Sequence, residues 1–140
     1  MIEFTIDIDI DRPIGDVFDY LIDFENIPAW NPYVQTVKKV TAGPIDLGTR
    51  FHQVRRTDHQ DYDITALDRP HLIEVSTTAS SAPPFVIRFE LGSHAHRTKL
   101  QDTWKLDAGV PKVLDGIARH QIRSSVQENL TRLKAMLETD

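Results

Sequence analysis

The chain has 140 residues, of which 40% are hydrophobic and 26% are charged, as is typical of a globular domain with one core. Its net charge of −5 argues against a general nucleic-acid binder, and the lack of cysteine excludes disulfides, Cys-zinc sites and thiol nucleophiles. We therefore expect one domain over residues 1–140, a cytoplasmic location, no nucleic-acid partner and no membrane span.

The first ten residues alternate strictly between apolar and polar side chains. The apolar positions are Ile2, Phe4, Ile6, Ile8 and Ile10. This period of two predicts a β-strand with one buried face and one face in water.

Two short helices are predicted after this strand. Asp11 or Arg12 lies near the cap of the first, with Pro13 in its first turn. Asp23 is expected to cap the second, and Pro28 is expected to end it, since proline removes a backbone donor.

Residues 34–106 contain six candidate strands separated by glycine, proline and polar breakers. We place the strands at 34–41, 48–57, 62–68, 71–79, 85–91 and 97–106. Consecutive short strands with short loops predict an antiparallel meander. The inward register of strand 48–57 stays open, because both parities carry apolar residues.

A long helix is predicted from Gly109 to Asp140, with Pro111 suited to its first position. At about 100° per residue it carries two apolar stripes that point in different directions. The first stripe is Val110, Val113, Leu114, Ile117, Ala118 and Gln121, and the second is Ile122, Val126, Leu130, Leu133 and Leu137. We expect the second stripe to pack on the sheet and the first to cover a cavity.

Three segments carry a resemblance to a known superfamily. They are RPIGDVFDYL from residue 12, DFENIPAWNPY from residue 23 and LGTRF from residue 47. With the order of elements, they resemble the START-like, or polyketide cyclase/dehydrase (SRPBCC), superfamily over essentially the whole chain. The resemblance implies an α+β helix-grip fold, in which a seven-stranded curled antiparallel sheet surrounds a long C-terminal helix and two short helices lie between strands 1 and 2.

The resemblance specifies function less well than fold, since it includes lipid carriers, hormone receptors, aromatase/cyclases and co-chaperones. This chain departs from the pattern in two loops. Residues 93–98 replace a common Gly-Thr turn, and residues 78–84 form a longer, more polar loop than a tight hairpin needs. No catalytic motif of the superfamily can be carried across residue by residue.

Asp102 is the polar residue that points most directly to chemistry. It has the strand parity of Leu100, Trp104 and Leu106, so it should face inward. A carboxylate in an apolar place must be paired or take a proton, which suits a general base or an anchor for a ligand hydroxyl or amine. The alternatives are a bulge that turns it to solvent, or a structural pairing with an arginine.

A candidate catalytic set combines Asp102 with Arg55 and Tyr33. Arg55 shares its parity with Phe51, so it could pair with Asp102 and stabilise an enolate oxygen, as the cavity arginine of the aromatase/cyclases would imply. A solvated arginine at a strand end is the competing interpretation.

Candidate ligand-binding residues are aromatic or lie on the first helical stripe. They are Trp30, Tyr33, Phe51, Tyr62, Phe85, Phe89, Trp104, Leu114, Ile117 and Gln121. The aromatic members fit a planar or lipid-like ligand and equally fit the ordinary core of a curled sheet. His94 and His96 could share a strand face, but they lack a third ligand, so we expect no metal site.

Three functional hypotheses remain at this point. The first is binding of a small hydrophobic or aromatic molecule between the sheet and the terminal helix. The second is a cofactor-independent cyclase, dehydratase or aldol-type enzyme for a polyketide-like substrate, with Asp102 as acid and base. The third is a protein-interaction module. We expect no cofactor, and a monomer or homodimer.

Overall fold

The computed structural model describes residues 1–139, so the predicted helix end at Asp140 lies outside the described residues. Seven strands and three α-helices follow one another along the chain. They are β1 (Ile2–Ile10), α1 (Ile14–Ile22), α2 (Ile27–Trp30), β2 (Val34–Lys39), β3 (Arg50–Arg55), β4 (His59–Asp68), β5 (Leu72–Thr77), β6 (Phe85–His94), β7 (Arg97–Leu106) and α3 (Asp115–Glu138). Short 3-10 turns precede α2 at Phe24–Asn26 and α3 at Lys112–Leu114.

All seven strands form one antiparallel sheet in the order β1-β7-β6-β5-β4-β3-β2. Strands β2 to β7 make the predicted meander, and β1 returns to pair with β7. The sheet, the two small helical segments after β1 and the long terminal helix confirm the α+β helix-grip prediction.

The alternation of β1 explains its place in the sheet. Ile2, Phe4, Ile6 and Ile10 are buried and Ile8 is partly buried, whereas the four polar residues that alternate with them are exposed. The register pairs Ile6 with Asp102 and Phe4 with Trp104, so the buried face of β1 continues directly into the inner face of β7.

Helix α3 runs along β1 in the same direction. Arg119 Nε donates to the Glu3 carbonyl at 3.0 Å, and Lys134 Nζ donates to the Asp9 carbonyl at 2.6 Å. Near the end of the helix, the Glu138 carboxylate accepts the Asp11 backbone N–H at 2.8 Å. These three contacts hold the helix parallel to the edge strand over most of its length.

The second helical stripe packs into the core, as predicted. Val126, Leu130, Leu133 and Leu137 are buried, and Ile122 is partly buried against the same core. None of the helices within residues 1–139 is long and apolar enough to cross a membrane.

The predicted start of the terminal helix at Gly109 is wrong. Gly109 has a φ of 69°, and Pro111 is extended with a ψ of 143°, so the chain turns before the helix begins at Asp115. The first stripe is therefore split between a loop, a 3-10 turn and the first helical turns. Its large apolar members are exposed, from 37% at Val110 to 85% at Val113, and only Ala118 is partly buried against the core.

The prediction that Pro28 ends the second small helix is also wrong. Pro28 lies in the first turn of α2, where its missing N–H has no helical partner to lose, rather than at the end of a helix. Asp23 does act as a cap, since its carboxylate accepts the Glu25 N–H at 3.3 Å within the 3-10 turn. For α1 the cap position is Pro13 itself.

Strand β4 begins three residues before its predicted start, and this difference affects the site. The strand begins at His59 rather than Tyr62 and so adds Gln60 to its inner face. Pairing explains the longer strand, because Gln60 lies opposite Gln53 of β3. The sequence analysis placed a strand breaker at Asp58-His59, but pairing with β3 continues as far as His59.

Candidate ligand-binding cavity

A cavity of about 370 Å³ lies between the inner face of the sheet and the helices α2 and α3. This size falls in the range of small-molecule sites. Strands β3 to β7 supply its floor, and Trp30 of α2 and Ile122 and Val126 of α3 cover it. The rim reaches solvent at Gln121 and Ser125 of α3 and at Tyr33, all of which are exposed.

Six of the seven predicted aromatic residues line this cavity: Trp30, Tyr33, Tyr62, Phe85, Phe89 and Trp104. Phe51 does not. Its ring is fully buried behind the wall, edge-on to Phe24 at 5.1 Å and stacked on Tyr62 at 5.8 Å between centroids. In this position Phe51 supports the wall by packing, and a direct role in binding stays a prediction.

Asp102 faces the cavity from β7, as its strand parity predicted. Only 2% of the residue is exposed. Trp104 Nε1–H donates to Oδ2 at 3.0 Å, whereas Oδ1 has no hydrogen-bond partner within residues 1–139. Within residues 1–139 neither of the two alternatives, a solvent-facing bulge or an arginine partner, is present, and a role of Asp102 in binding or catalysis stays a prediction.

Burial raises the pKa of Asp102 from its usual 3.8 to about 7, because the charged form loses its hydration. The hydrogen bond from Trp104 opposes the rise only in part. The carboxyl group therefore changes its charge near neutral pH, which is the property needed to accept and return a proton.

Arg55 does not pair with Asp102, so that prediction is wrong. Its guanidinium binds the Asp58 carboxylate through two bonds, at 2.6 Å from Nε and 2.5 Å from the terminal nitrogen. The partner is three residues away because the β3–β4 turn folds back on the strand end. Arg55 nevertheless has the inward parity of Gln53 and lines the cavity near its rim, which settles the open register of β3.

Tyr33 lies at the same rim, 39% exposed. Its ring lies 5.6 Å from the Arg55 guanidinium, and its hydroxyl is hydrogen-bonded to the Thr57 hydroxyl at 2.5 Å. Asp102, Arg55 and Tyr33 thus line one cavity, but the Asp102 carboxyl is buried deep in it, whereas Arg55 and Tyr33 pack against each other at the entrance.

Tyr62 provides the deep phenol. It is 2% exposed, and its hydroxyl donates to Gln53 Oε1 at 3.3 Å. Burial raises the pKa of Tyr62 well above its usual 10, so the group stays a neutral donor.

Gln60 is the most buried of the polar cavity residues that sequence reasoning missed. Only 1% of it is exposed, its Nε2 donates to the Pro83 carbonyl at 3.1 Å, and its Oε1 has no partner within residues 1–139. The available signal was the alternation of Tyr62 and Ile64, which reaches Gln60 if the strand is extended backward by two residues.

The terminal helix contributes to the cavity through its middle. Gln121 lines the rim, as predicted, together with Ser125 and Asn129 one and two turns further on. Leu114 and Ile117 lie outside the cavity wall and are 42% and 60% exposed. A role for them in binding stays a prediction.

Within residues 1–139, no cluster of three or more His, Asp or Glu side chains could hold a metal ion. The histidine at position 96 lies in the tight turn between β6 and β7, where Ala95 and His96 have φ values of 49° and 66°. Because His94 is the last residue of β6 and His96 lies in this turn, the two side chains do not share a strand face.

Comparison with known proteins now gives the family. A family model described as polyketide cyclase/dehydrase and lipid transport matches residues 1–138. The chain belongs to this family. The sequence resemblance to the START-like superfamily is thereby confirmed, whereas no curated protein matches the sequence.

Solved structures share the family's fold at low sequence identity. A START superfamily protein from Mycobacterium smegmatis is similar at a TM-score of 0.79 with 12% identity, over 97% of both chains. A protein from Nitrosospira multiformis is similar at 0.73 with 16% identity, over 98% of this chain and 97% of that one. A conserved protein of unknown function from Enterococcus faecalis is similar at 0.71 with 19% identity, over 98% and 71% of the chains. Identities this low establish the fold alone.

Proposed function

We propose that this protein binds a small hydrophobic or aromatic molecule in the cavity between the sheet and α3. The observation that carries the proposal is the cavity itself, about 370 Å³ in volume and walled mainly by apolar and aromatic side chains. Family membership supports the general class of hydrophobic ligand. The rings of Phe85 and Trp104 stand 6.5 Å apart on adjacent strands and offer flat surfaces to a planar molecule.

Filling the cavity should prevent binding. Ile87 lines the middle of the sheet floor, opposite Val75 and Trp104 in the strand register. An Ile87→Trp change places an indole where the ligand would lie, and overlap costing about 1–3 kcal/mol should weaken binding about fivefold to 150-fold. The affinity for the neutral fluorescent probe N-phenylnaphthylamine measures this effect.

Val86→Trp is the matched control. Val86 precedes Ile87 on β6 but points to the other face of the sheet, outside the cavity. The control should bind the probe with wild-type affinity. Equal affinities for all three proteins would contradict binding in this cavity.

A second candidate function is favoured by one observation, the buried Asp102 with its pKa near 7. A carboxyl poised at neutral pH inside an apolar cavity is suited to abstracting a proton next to a ketone and returning it during an aldol-type cyclisation or dehydration. Tyr62 is the hydroxyl donor that we assign to polarising the substrate carbonyl, because it is buried in the cavity. Arg55 and Tyr33 are bonded to Asp58 and Thr57 at the rim.

Asp102→Asn tests this enzymatic candidate. The change should lower turnover of a poly-β-ketone substrate by about 10²–10⁴-fold, the usual contribution of a general acid–base group. Probe affinity should stay near the wild-type value. In the wild type the rate should rise with pH through about 7, where Asp102 becomes ionised, and then level off. Unchanged turnover in the variant would remove Asp102 from the reaction.

A further inference from the structure

Two buried acceptor oxygens in the cavity have no hydrogen-bond partner among residues 1–139. They are Oδ1 of Asp102 and Oε1 of Gln60. Both residues line the cavity, and they are 2% and 1% exposed. Buried polar atoms are paired in the large majority of cases, so two unpaired acceptors in one cavity require an explanation.

The orientation of both groups is fixed by their other atoms. Trp104 Nε1–H holds Oδ2 of Asp102, which leaves Oδ1 for a different donor. Gln60 Nε2 donates to the Pro83 carbonyl, and a flipped amide would set two acceptors against each other there. Each residue therefore presents an acceptor oxygen that its protein neighbours do not use.

The two acceptors lie on well-separated strands. Gln60 is on β4 and Asp102 on β7, with β5 and β6 between them. Their backbones are three strand spacings of about 4.8 Å apart across the sheet, and they are also offset by about six residues along the strands, because the row of paired residues through Tyr62 ends at Leu106. One small donor group cannot satisfy both.

A row of aromatic rings leads from one acceptor to the other. Tyr62 of β4 lies 5.8 Å from Phe85 of β6, and Phe85 lies 6.5 Å from Trp104 of β7, measured between ring centroids. All three rings line the cavity. The surface between the two acceptors is therefore apolar and suited to stacking.

We propose that the ligand is a flat, largely apolar molecule with a hydroxyl at each end, one donating to Asp102 and the other to Gln60. This inference rests on the proposed binding function. A hydroxyl fits better than an ammonium group, because Gln60 has no charge to balance a cation. A hydroxyl can also both donate and accept, so it suits Asp102 in either protonation state.

Three probes with one skeleton test this inference: biphenyl, its para-monohydroxy derivative and its para,para′-dihydroxy derivative. Isothermal titration calorimetry on the full chain should give rising affinity in that order. Gln60→Leu should reduce the preference for the dihydroxy compound over biphenyl about fivefold, and Asp102→Leu about thirtyfold, as expected for losing a neutral and a charged hydrogen bond.

Two further variants keep the test interpretable. Asp102→Asn keeps an oxygen for the Trp104 hydrogen bond and places an amide donor where Oδ1 was, so the ligand hydroxyl exchanges a charged hydrogen bond for a neutral one. It replaces Asp102→Leu if thermal melting shows that the leucine variant does not fold, and it should then reduce the preference about fivefold. Gln101→Leu makes the same kind of change on the opposite face of β7, outside the cavity, and should leave the preference unchanged.

The outcomes separate this inference from the function on which it rests. Biphenyl bound as tightly as its dihydroxy derivative, or variants that weaken both equally, would overturn the two-hydroxyl ligand and leave the binding function intact. Binding of N-phenylnaphthylamine without binding of any biphenyl would overturn it as well. If neither the biphenyls nor N-phenylnaphthylamine binds, the proposed function itself fails.

Discussion

Asp102→Asn should make the protein more stable above pH 7 and leave its stability unchanged below about pH 4. The reason is the burial that raises the pKa of Asp102 to about 7 in the folded protein, whereas the unfolded chain keeps a value near 3.8. Between these values the folded state holds a proton that the unfolded state has released. Rising pH therefore favours unfolding across this window.

The magnitude follows from the width of the window. At about 1.4 kcal/mol for each pH unit, ionising Asp102 lowers the free energy of unfolding by about 4 kcal/mol between pH 4 and pH 7. The neutral asparagine avoids this loss and can still accept the Trp104 hydrogen bond. Below pH 4 the carboxyl is protonated in both states, so the two proteins should be equally stable.

Urea unfolding at a series of pH values measures the difference between the two proteins. Comparing each variant with the wild type cancels the titration of the other acidic groups. Asp7→Asn is the matched control, because its side chain is half exposed on the outer face of β1. Curves for wild type and Asp102→Asn that stay parallel from pH 4 to pH 8 would contradict a buried, proton-binding Asp102.

Such a penalty has a functional meaning. A buried carboxyl with one unpaired oxygen destabilises the fold at neutral pH, and an asparagine would fit the same space. Groups of this kind concentrate at binding and catalytic sites, where stability is given up for chemistry. A buried Asp102 is compatible both with anchoring a ligand hydroxyl and with acid–base catalysis. Loss of turnover in Asp102→Asn would indicate catalysis, whereas unchanged turnover would leave only the role in binding.

Patterns that repeat over several residues were predictable from sequence. The period of two in β1 and the helical spacing from Val126 to Leu137 each place several apolar side chains on one face, so a single exception does not change the result. Strand parity likewise placed Asp102 inside. These features determine the fold and one of the two buried polar side chains with an unpaired oxygen in the cavity.

Features set by one or two residues, or by pairing across strands, were not predictable. Two backbone conformations, at Gly109 and Pro111, moved the helix start to Asp115. The hairpin between β3 and β4 decided that Arg55 binds Asp58 and that Gln60 belongs to the inner face. Residue parity carries no information about such partners, because they depend on where the chain turns back.

The side chains of α3 from Val126 onward are buried on one face, whereas the apolar side chains just before and at the start of the helix are exposed. Leu130→Ala should lower the free energy of unfolding by about 2–5 kcal/mol, because it removes a fully buried side chain and leaves a space in the core. Leu130 does not line the ligand cavity, so probe affinity should be retained wherever the variant is folded.

Leu114→Ala makes the same chemical change just before the first residue of α3. Leu114 is 42% exposed in the turn before α3, and an exposed truncation should change stability by no more than about 0.5 kcal/mol. Urea unfolding of both variants at one pH gives the comparison. Equal losses would mean that the start of the helix is packed as tightly as its middle. The expected large difference would mean that tight packing of the terminal helix on the sheet begins between these two positions, as the partly buried Ala118 and Ile122 indicate.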